Sequence, residues 1–370
     1  MILKNKVLVV GPLNKDGVGG RLEEMKVWVN ALSSSGANVE VFTRFNSAPY
    51  FGDLPVWEST HVIFGKKKIE IRIFKKIILR IWGSHFLKFK RDKFFYSKPW
   101  YRFLSEYDKV ILFITDTSSE RIIFESNIPQ EVFIRFTGTL KNFEKLIIDG
   151  NNLKGRPRNY IFHDKNLLQN FIPELPYFFI DQTAIQEEVL LNVAINSNCK
   201  TFAMIGLFME VKQVEEVINT FSRFPDFNLL IFGKGELESS YRKLILEKKL
   251  SNVIIRGFFP AGKMHLMFNE FDCLIINSSE ETGPMTGVEA MAAGKTIISS
   301  SVGAMPGRLS NDEFIIGPIN SLEMILSRIR MQSKEEIVAE RNRLRNRYIN
   351  FYSNRAISMQ IKETILENNV

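Results

Sequence analysis

Short apolar runs alternate along this chain with longer segments in which apolar residues recur every three or four positions. The short runs are typical of buried strands, and the longer segments are typical of amphipathic helices. In the first half a helix is predicted from Gly20 to Ser35. The strands predicted there are Val7–Gly11, Val39–Thr43, Val110–Thr115, Phe133–Phe136 and Tyr160–Phe162.

The second half shows the same alternation more regularly. Its predicted strands are Thr201–Gly206, Leu229–Gly233, Val253–Gly257, Asp272–Ile276, Thr296–Ser300 and Phe314–Ile316. Its predicted helices are Val214–Phe224, Leu237–Lys248, Lys263–Asn269, Leu322–Met331 and Glu335–Tyr352, with an apolar-periodic tail to Leu366. Strands that alternate with helices indicate an α/β fold built on parallel sheets.

A chain of 370 residues is too long for one small core, so we predict two Rossmann-like domains. The first spans residues 1–190 and the second residues 191–352. A C-terminal helix at 353–370 is expected to pack back toward the N-terminal domain.

The composition is that of a globular protein, with 45% hydrophobic and 24% charged residues. No apolar run reaches eighteen residues, and the run Val7–Val10 is too short for a signal peptide. The two cysteines, Cys199 and Cys273, lie far apart and without metal-ligand spacing. A reducing, cytoplasmic compartment is therefore expected.

The most informative segment is a strand, a Gly/Pro loop and a short helix between Asp272 and Gly294. The first N–H groups of a helix that follows such a loop lack internal partners and favour a phosphate. Glu281 and Glu289 bracket the helix start, with seven residues between them. Since carboxylates repel phosphate, their expected partners are the hydroxyls of a ribose and a sugar, which suggests a nucleotide sugar.

Other strand ends of the second half carry compatible residues. Gly206 ends one strand and Lys212 follows at the next helix start, while Gly233-Lys234-Gly235 and Gly257 end two further strands. Taken singly, each is explained as a solvated lysine or an ordinary turn, and each glutamate as a residue favourable to the helix dipole. Their occurrence at the ends of consecutive parallel strands favours one ligand site.

The region from Lys200 to Pro318 resembles the C-terminal domain of retaining glycosyltransferases of family four, which have the GT-B fold of two Rossmann-like domains facing a cleft. The resemblance rests on Glu281, on Glu289 and on the run Ala290-Met291-Ala292 with Gly294.

The resemblance implies that Glu281 contacts the transferred hexose, that Glu289 binds the ribose, and that Lys212 grips the diphosphate. It also implies that backbone N–H groups hold the diphosphate and the sugar hydroxyls. These groups lie around Gly283, Pro284, Met285 and Thr286, and Gly206 and Gly233 are expected nearby. The chain departs from the family at Leu207, where an arginine is usual, and at Gln213, where a glycine is usual.

In the first half, Gly19 and Gly20 lie in a glycine loop similar to the one that approaches the donor phosphate and acceptor in the family. Thr137 stands where family members place a histidine, and His163 is the alternative candidate. A lone histidine is more often structural than catalytic. No Asp-x-Asp motif follows a strand, so no metal ion or other cofactor is expected beyond a UDP- or GDP-linked donor.

The net charge of +8 is concentrated in residues 66–102, which hold thirteen basic and two acidic residues, a net +11. Apolar residues from Ile73 to Phe89 fall on one helical face, and Trp100 and Tyr101 extend the aromatic supply. A cationic amphipathic helix suits an anionic membrane surface. A core-facing helix with a solvated basic face is the plain alternative, and single-stranded nucleic acid is a weaker one.

These observations predict a retaining hexosyltransferase that acts on an acceptor saccharide. A lipid-linked acceptor at the inner face of the cytoplasmic membrane, as in surface polysaccharide or lipopolysaccharide biosynthesis, is the expected setting. A non-catalytic membrane-associated GT-B scaffold and a GT-B nucleotide-sugar epimerase remain the alternatives, and the missing arginine after Gly206 favours the scaffold.

Overall fold

The computed structural model describes residues 5–11, 20–43, 51–57, 98–114, 130–137, 158–168, 176–259 and 263–367. Two compact units account for them. The first comprises residues 1–162, 171–179 and 358–370, and the second comprises residues 163–170 and 180–357. The predicted boundary at 190/191 therefore lies inside the second unit, and the end of the predicted C-terminal helix clusters with the first.

The first unit contains a parallel sheet of seven described strands in the order β3-β2-β1-β4-β5-β6-β7. These are β1 Lys6–Val10, β2 Asn38–Phe42, β3 Val56–Trp57, β4 Lys109–Ile114, β5 Glu131–Phe136, β6 Arg158–Phe162 and β7 Tyr177–Phe179. The described α-helices of its first 162 residues are Gly20–Ser34 and Lys98–Leu104. Val7 to Val10 are wholly buried, as expected of a central strand covered on both faces.

The second unit contains a parallel sheet of six described strands in the order β10-β9-β8-β11-β12-β13. These are β8 Thr201–Leu207, β9 Asn228–Lys234, β10 Val253–Gly257, β11 Cys273–Ile276, β12 Thr296–Ser300 and β13 Ile315–Ile316. Its described α-helices are Glu187–Leu191, Val214–Phe221, Glu238–Glu247, Met264–Met267, Met285–Ala292, Met305–Leu309, Leu322–Met331 and Lys334–Phe351. In the helix Asn354–Lys362 the residues up to 357 belong to the second unit and those from 358 onward to the first. Among the described residues, no helix has the length and apolarity needed to span a bilayer.

Side chains of the second sheet feed two hydrophobic clusters, one on each face. Phe202 and Met204 of β8 belong to one cluster, together with Ile218 and Phe221 of a covering helix. Ala203, between them, belongs to the other cluster, which contains Met291. This alternation follows from the two-residue period of a strand, and it explains why the strand sequences are almost continuously apolar.

The sequence patterns located the central strands and missed the marginal elements. The pattern did not predict β3 and β7, nor the helices Lys98–Leu104 and Glu187–Leu191. The helix predicted to end at Phe224 ends at Phe221. β7 is a three-residue edge strand with exposed Tyr177 and Phe179, and its apolar run was not recognised as a strand.

The basic segment predicted as a membrane-facing helix lies at residues 66–97 outside the described residues. Its last part is described as the start of the helix Lys98–Leu104. Trp100 is wholly buried there and contacts Phe42 and Phe103, with ring centroids 4.9 Å and 5.8 Å apart. The expectation that Trp100 adds to a membrane-facing aromatic surface is therefore wrong, because the indole is part of the domain core.

Gly233 at the end of β9 offers a test of this sheet's packing. An added Cβ would lie 1.8 Å from the carbonyl oxygen of Gly206 on β8, and its φ of +147° disfavours a side chain. Gly233→Ala should lower the free energy of unfolding by about 3 kcal/mol or more, since overpacking and backbone strain add. Urea denaturation followed by fluorescence measures this.

Gly257→Ala is the matched control, because Gly257 has φ +76° but open space around its Cβ position. It should lose only the conformational term, about 1–2 kcal/mol. Equal losses in the two variants would contradict the close approach of β8 and β9.

Candidate functional site

The candidate site lies where the strand order of the second sheet reverses. β8 pairs with β9 on one side and with β11 on the other, so the connections that leave β8 and β11 diverge. In doubly wound sheets such a switch point forms a crevice at the carboxyl ends of the strands. The pocket found there is lined by residues from the ends of β8, β9 and β11 and from the loop after β11, including Gly206, Lys212, Asn277, Glu281, Pro284 and Thr286.

Lys212 is positioned by a tight turn that follows β8. The turn is a single 3₁₀ segment, Glu210–Lys212, and the next helix begins at Val214. Gln213 between them has φ +48° and ψ +39°, the left-handed conformation that glycine adopts without strain. This explains why a glycine is usual at this position in the family that the sequence resembles, and Gln213 takes the same conformation at a steric cost.

Hydrogen bonds join the Lys212 turn, and the helix that follows it, to the loop after β11. The backbone N–H of Ser279 donates to the carbonyl of Val211 over 2.8 Å. The amide of Asn277 donates to Glu216 over 3.2 Å. The two loops that diverge at the switch point are therefore held side by side, although they are more than sixty residues apart in sequence.

Lys212 and Glu281 form an ion pair across this junction, between Nζ and Oε1. The hydroxyl of Ser278 also donates to Glu281 Oε1, over 2.9 Å. The Lys212 and Glu281 side chains are 26% and 16% exposed, so the pair is partly shielded from water. Two of the predicted site residues thus contact each other directly in the pocket.

Glu289 lies in the first two turns of the helix Met285–Ala292, which we call the motif helix. Its side chain is buried, and the structure shows no hydrogen bond or ion pair for its carboxylate among the described residues. Burial alone raises the pKa of Glu289 to about 8. Glu289 does not line the pocket that contains Lys212 and Glu281.

Gly283 and the N-terminus of the motif helix pack on three polar side chains. A Cβ at Gly283 would lie 2.8 Å from His163 Cδ2 and 3.1 Å from both Arg308 Nη2 and Gln182 Oε1. His163 is 3% exposed, and it is not among the residues that line the pocket. His163 therefore packs against Gly283 in the loop after β11 and lies outside the residues that line the pocket.

Arg308 is the principal support of this loop. Its guanidinium is wholly buried and makes two hydrogen bonds to Asp181, from Nε over 2.9 Å and from Nη2 over 2.6 Å. Nη1 donates to the carbonyl of Pro284 over 2.6 Å. Because Pro284 is the N-cap of the motif helix, this contact sets the peptide from which the helix begins.

The remaining predicted site residues lie in several places. Met285 starts the motif helix, and Gly233 lies beside Gly206 in the β8–β9 pair. Thr137 follows β5 of the first unit, and Gly20 begins that unit's first helix. Gly19 lies outside the described residues. Within the described ranges, no three His, Cys, Asp or Glu side chains come close enough to hold a metal ion.

Sequence reasoning missed Arg308, Asp181 and Ser278. Arg308 lies in the short helix Met305–Leu309 that follows β12, the strand next to β11, so its place after a strand's carboxyl end was a usable signal. Asp181 offered none, because it is 127 residues from its partner. Ser278 is adjacent in sequence to the motif and was passed over because serine is common in loops.

Residues 186–350 match the family model of glycosyl transferases, group 1. An uncharacterized glycosyltransferase of Methanocaldococcus jannaschii is 23% identical over 52% of this chain and 49% of its own length. The N-acetyl-alpha-D-glucosaminyl L-malate synthase of Bacillus anthracis is 26% identical over 39% of this chain and 37% of its own. The chain thus matches half or less of these relatives' lengths.

Solved structures show the same fold over the whole chain. The match to the Anabaena protein HepE, in complex with UDP and glucose, has a TM-score of 0.67 at 14% identity and covers 98% of this chain and 99% of that one. A lipopolysaccharide outer core galactosyltransferase in its apo form has a TM-score of 0.67 at 16% identity, covering 98% of this chain and 99% of its own. Two Rossmann-like domains of this kind make up the GT-B fold. The group 1 family match covers the region that contains the candidate site.

The raised pKa of Glu289 predicts how stability depends on pH. The carboxyl has a pKa of about 8 when folded and about 4.5 when unfolded, so the folded state retains the proton longer. The stability that this carboxyl contributes is fully present below pH 4.5. As pH rises from there to 8, the free energy of unfolding falls by about 1.4 kcal/mol per pH unit. Glu289→Gln, which cannot ionise, should remove this slope in denaturant titrations between pH 5 and pH 8.

The control is Glu280→Gln, which makes the same chemical change at a half-buried neighbouring position. It should keep the wild-type slope. If Glu289→Gln and wild type lose stability in parallel as pH rises, the Glu289 carboxylate is not desolvated.

Proposed function

We propose that this protein is a retaining hexosyltransferase that moves a hexose from a nucleoside diphosphate sugar to a hydroxyl of an acceptor saccharide. The observation that carries the proposal is the junction of Lys212, Glu281 and the motif helix N-terminus in one pocket at the sheet's switch point. The group 1 family match covers this region, and the similar HepE structure contains UDP and glucose.

In this proposal the diphosphate lies between Lys212 and the start of the motif helix. The first N–H groups of Met285–Ala292 have no acceptor inside the helix and carry partial positive charge. As the bond to the hexose breaks, negative charge grows on the departing diphosphate. Groups already aimed at that charge stabilise the transition state more than the bound substrate, which accelerates the transfer.

Glu281 accepts hydrogen bonds from hydroxyls of the hexose on the face where the bond is exchanged. Glu289 accepts them from the ribose, which supplies the donors that its buried carboxylate lacks among the described residues. Hydrogen bonds to the charged form of a carboxylate lower its pKa, so binding favours ionised Glu289. Lys212 and the helix dipole offset part of the diphosphate's negative charge, and no metal ion is assigned a role in the proposal.

The acceptor in this proposal is a saccharide on a lipid carrier at the cytoplasmic face of the membrane. The support is the net charge of +11 in residues 66–102, most of which lie outside the described residues. Each basic side chain near an anionic surface adds about 1 kcal/mol of binding, falling with salt. The similar lipopolysaccharide galactosyltransferase structure is consistent with such a setting.

Donor binding is tested by thermal stabilisation with UDP, GDP, ADP and their sugar conjugates. Nucleotides that carry one of the three bases should raise the unfolding temperature, because a ligand at a hundredfold its Kd adds about 2.7 kcal/mol of stability. Glu289→Ala should abolish the shift by removing the ribose acceptor. Glu289→Gln keeps the side-chain shape and should also lower affinity, since the amide carries no charge to attract the hydroxyls.

Absence of a shift with every nucleotide would contradict the proposal and favour a non-catalytic scaffold. Normal affinity in both Glu289 variants would refute the ribose assignment alone. A nucleotide shift without glycosyl transfer to any saccharide would instead favour nucleotide-sugar epimerisation.

Membrane binding is tested by co-sedimentation with phosphatidylglycerol vesicles. The triple change Lys75→Glu, Lys76→Glu and Arg80→Glu should release the protein while leaving donor binding intact, because it reverses charge in the basic segment. The control triple, Lys243→Glu, Lys248→Glu and Lys249→Glu, makes the same charge change on an exposed surface of the second unit. Equal release by both triples would reduce the effect to net charge and contradict a membrane-binding segment.

A further inference from the structure

Two oppositely charged side chains inside the pocket pair with each other. Lys212 Nζ pairs with Glu281 Oε1, and the same oxygen accepts from Ser278 over 2.9 Å. Both charged side chains line the pocket in which a diphosphate and a hexose are proposed to bind. A ligand phosphate that binds Lys212 therefore competes with Glu281 for the same ammonium group.

The consequences differ between a nucleoside diphosphate and its sugar conjugate. A nucleoside diphosphate offers anionic oxygens to Lys212 but has no sugar hydroxyl for Glu281. Glu281 then keeps only Ser278 among its described partners, and a new negative charge lies beside its carboxylate. Removing one partner of a partly buried ion pair is destabilising, because the remaining charge is left without compensation.

A nucleotide sugar replaces both partners at once. Its diphosphate takes Lys212, and its hexose hydroxyls donate to Glu281. The carboxylate exchanges one hydrogen-bond donor for others and is not left uncompensated. Discrimination of this kind arises from the groups that the wrong ligand leaves unpaired.

We infer that the Lys212–Glu281 ion pair is a specificity determinant that weakens binding of the free nucleoside diphosphate relative to the nucleotide sugar. This inference rests on the proposed function and concerns the same pocket. Its consequence is that the product is released once the hexose has been transferred, because departure of the nucleoside diphosphate lets Lys212 and Glu281 pair again.

The experiment is isothermal titration of the full-length protein with the nucleoside diphosphate, among UDP, GDP and ADP, that stabilises wild type, and with its sugar conjugate. Glu281→Gln should bind the nucleoside diphosphate about five- to tenfold more tightly, because Lys212 is released and the repulsion is lost. The same variant should bind the sugar conjugate no more tightly than wild type does. Glycosyl transfer should fall, since the hexose loses its carboxylate.

Two controls separate this effect from a general change of charge. Glu280→Gln removes one negative charge at the adjacent position and should change nucleoside diphosphate affinity less than twofold. In a Lys212→Met background, Glu281→Gln should give a clearly smaller gain, because only the repulsion is removed and there is no cation left to release. That double-mutant cycle measures the coupling of the two side chains.

The outcomes separate the inference from the proposed function. If no nucleotide binds wild type or Glu281→Gln, the proposed function fails and the inference fails with it. If wild type binds nucleotides but Glu281→Gln does not tighten binding of the nucleoside diphosphate, or if the gain is undiminished without Lys212, the inference alone is overturned. Equal tightening of both ligands would also overturn it.

Discussion

The adjacency of β8 and β11 in one parallel sheet is the constraint on which the site depends. Parallel strands carry their carboxyl ends to the same edge, so Gly206 and the loop that begins at Asn277 lie side by side. The connections then turn to opposite sides, which leaves a crevice between them. The Lys212 turn and the Glu281 loop meet there because hydrogen bonds close the gap, and the ion pair follows from that geometry.

Polar groups in this region are arranged at some cost to stability. Glu289 is buried without a described partner, and its carboxyl pKa is raised to about 8. Arg308 and Asp181 are also buried, but each satisfies the other, and Arg308 additionally holds the Pro284 carbonyl. The Glu289 carboxyl could therefore gain hydrogen bonds from a bound ligand, whereas the Arg308–Asp181 pair is already satisfied within the protein.

The three glycines that matter here act through close approach. Gly283 admits His163 and Arg308 against the motif loop, and Gly233 admits the Gly206 carbonyl between neighbouring strand ends. Gly307 leaves room for the Asp164 carboxylate, which lies 2.4 Å from the place of a Cβ. Side chains at these positions would force apart the elements that build the pocket.

The α/β class, the central strands and the site motif were legible in the sequence. Strands buried on both faces are apolar almost throughout, so their sequences identify them. Glu281, Glu289 and Lys212 are recognised by their positions in the sequence relative to the predicted strand ends. Edge strands β3 and β7 were not predicted: β3 has only two residues, and the apolar run that contains β7 was not recognised as a strand. Nor was the burial of Trp100, since an aromatic residue beside basic ones fits a membrane surface and a core equally well.

The tertiary structure alone decided which residues meet. Asp181 and Arg308 are 127 residues apart, and Lys212 and Glu281 are 69 apart, so local pattern carries no information about either pair. Sequence determines which chemistry is present and at which strand ends it lies. Contact between those groups depends on strand order, which is set by packing over the whole sheet and not by any one segment.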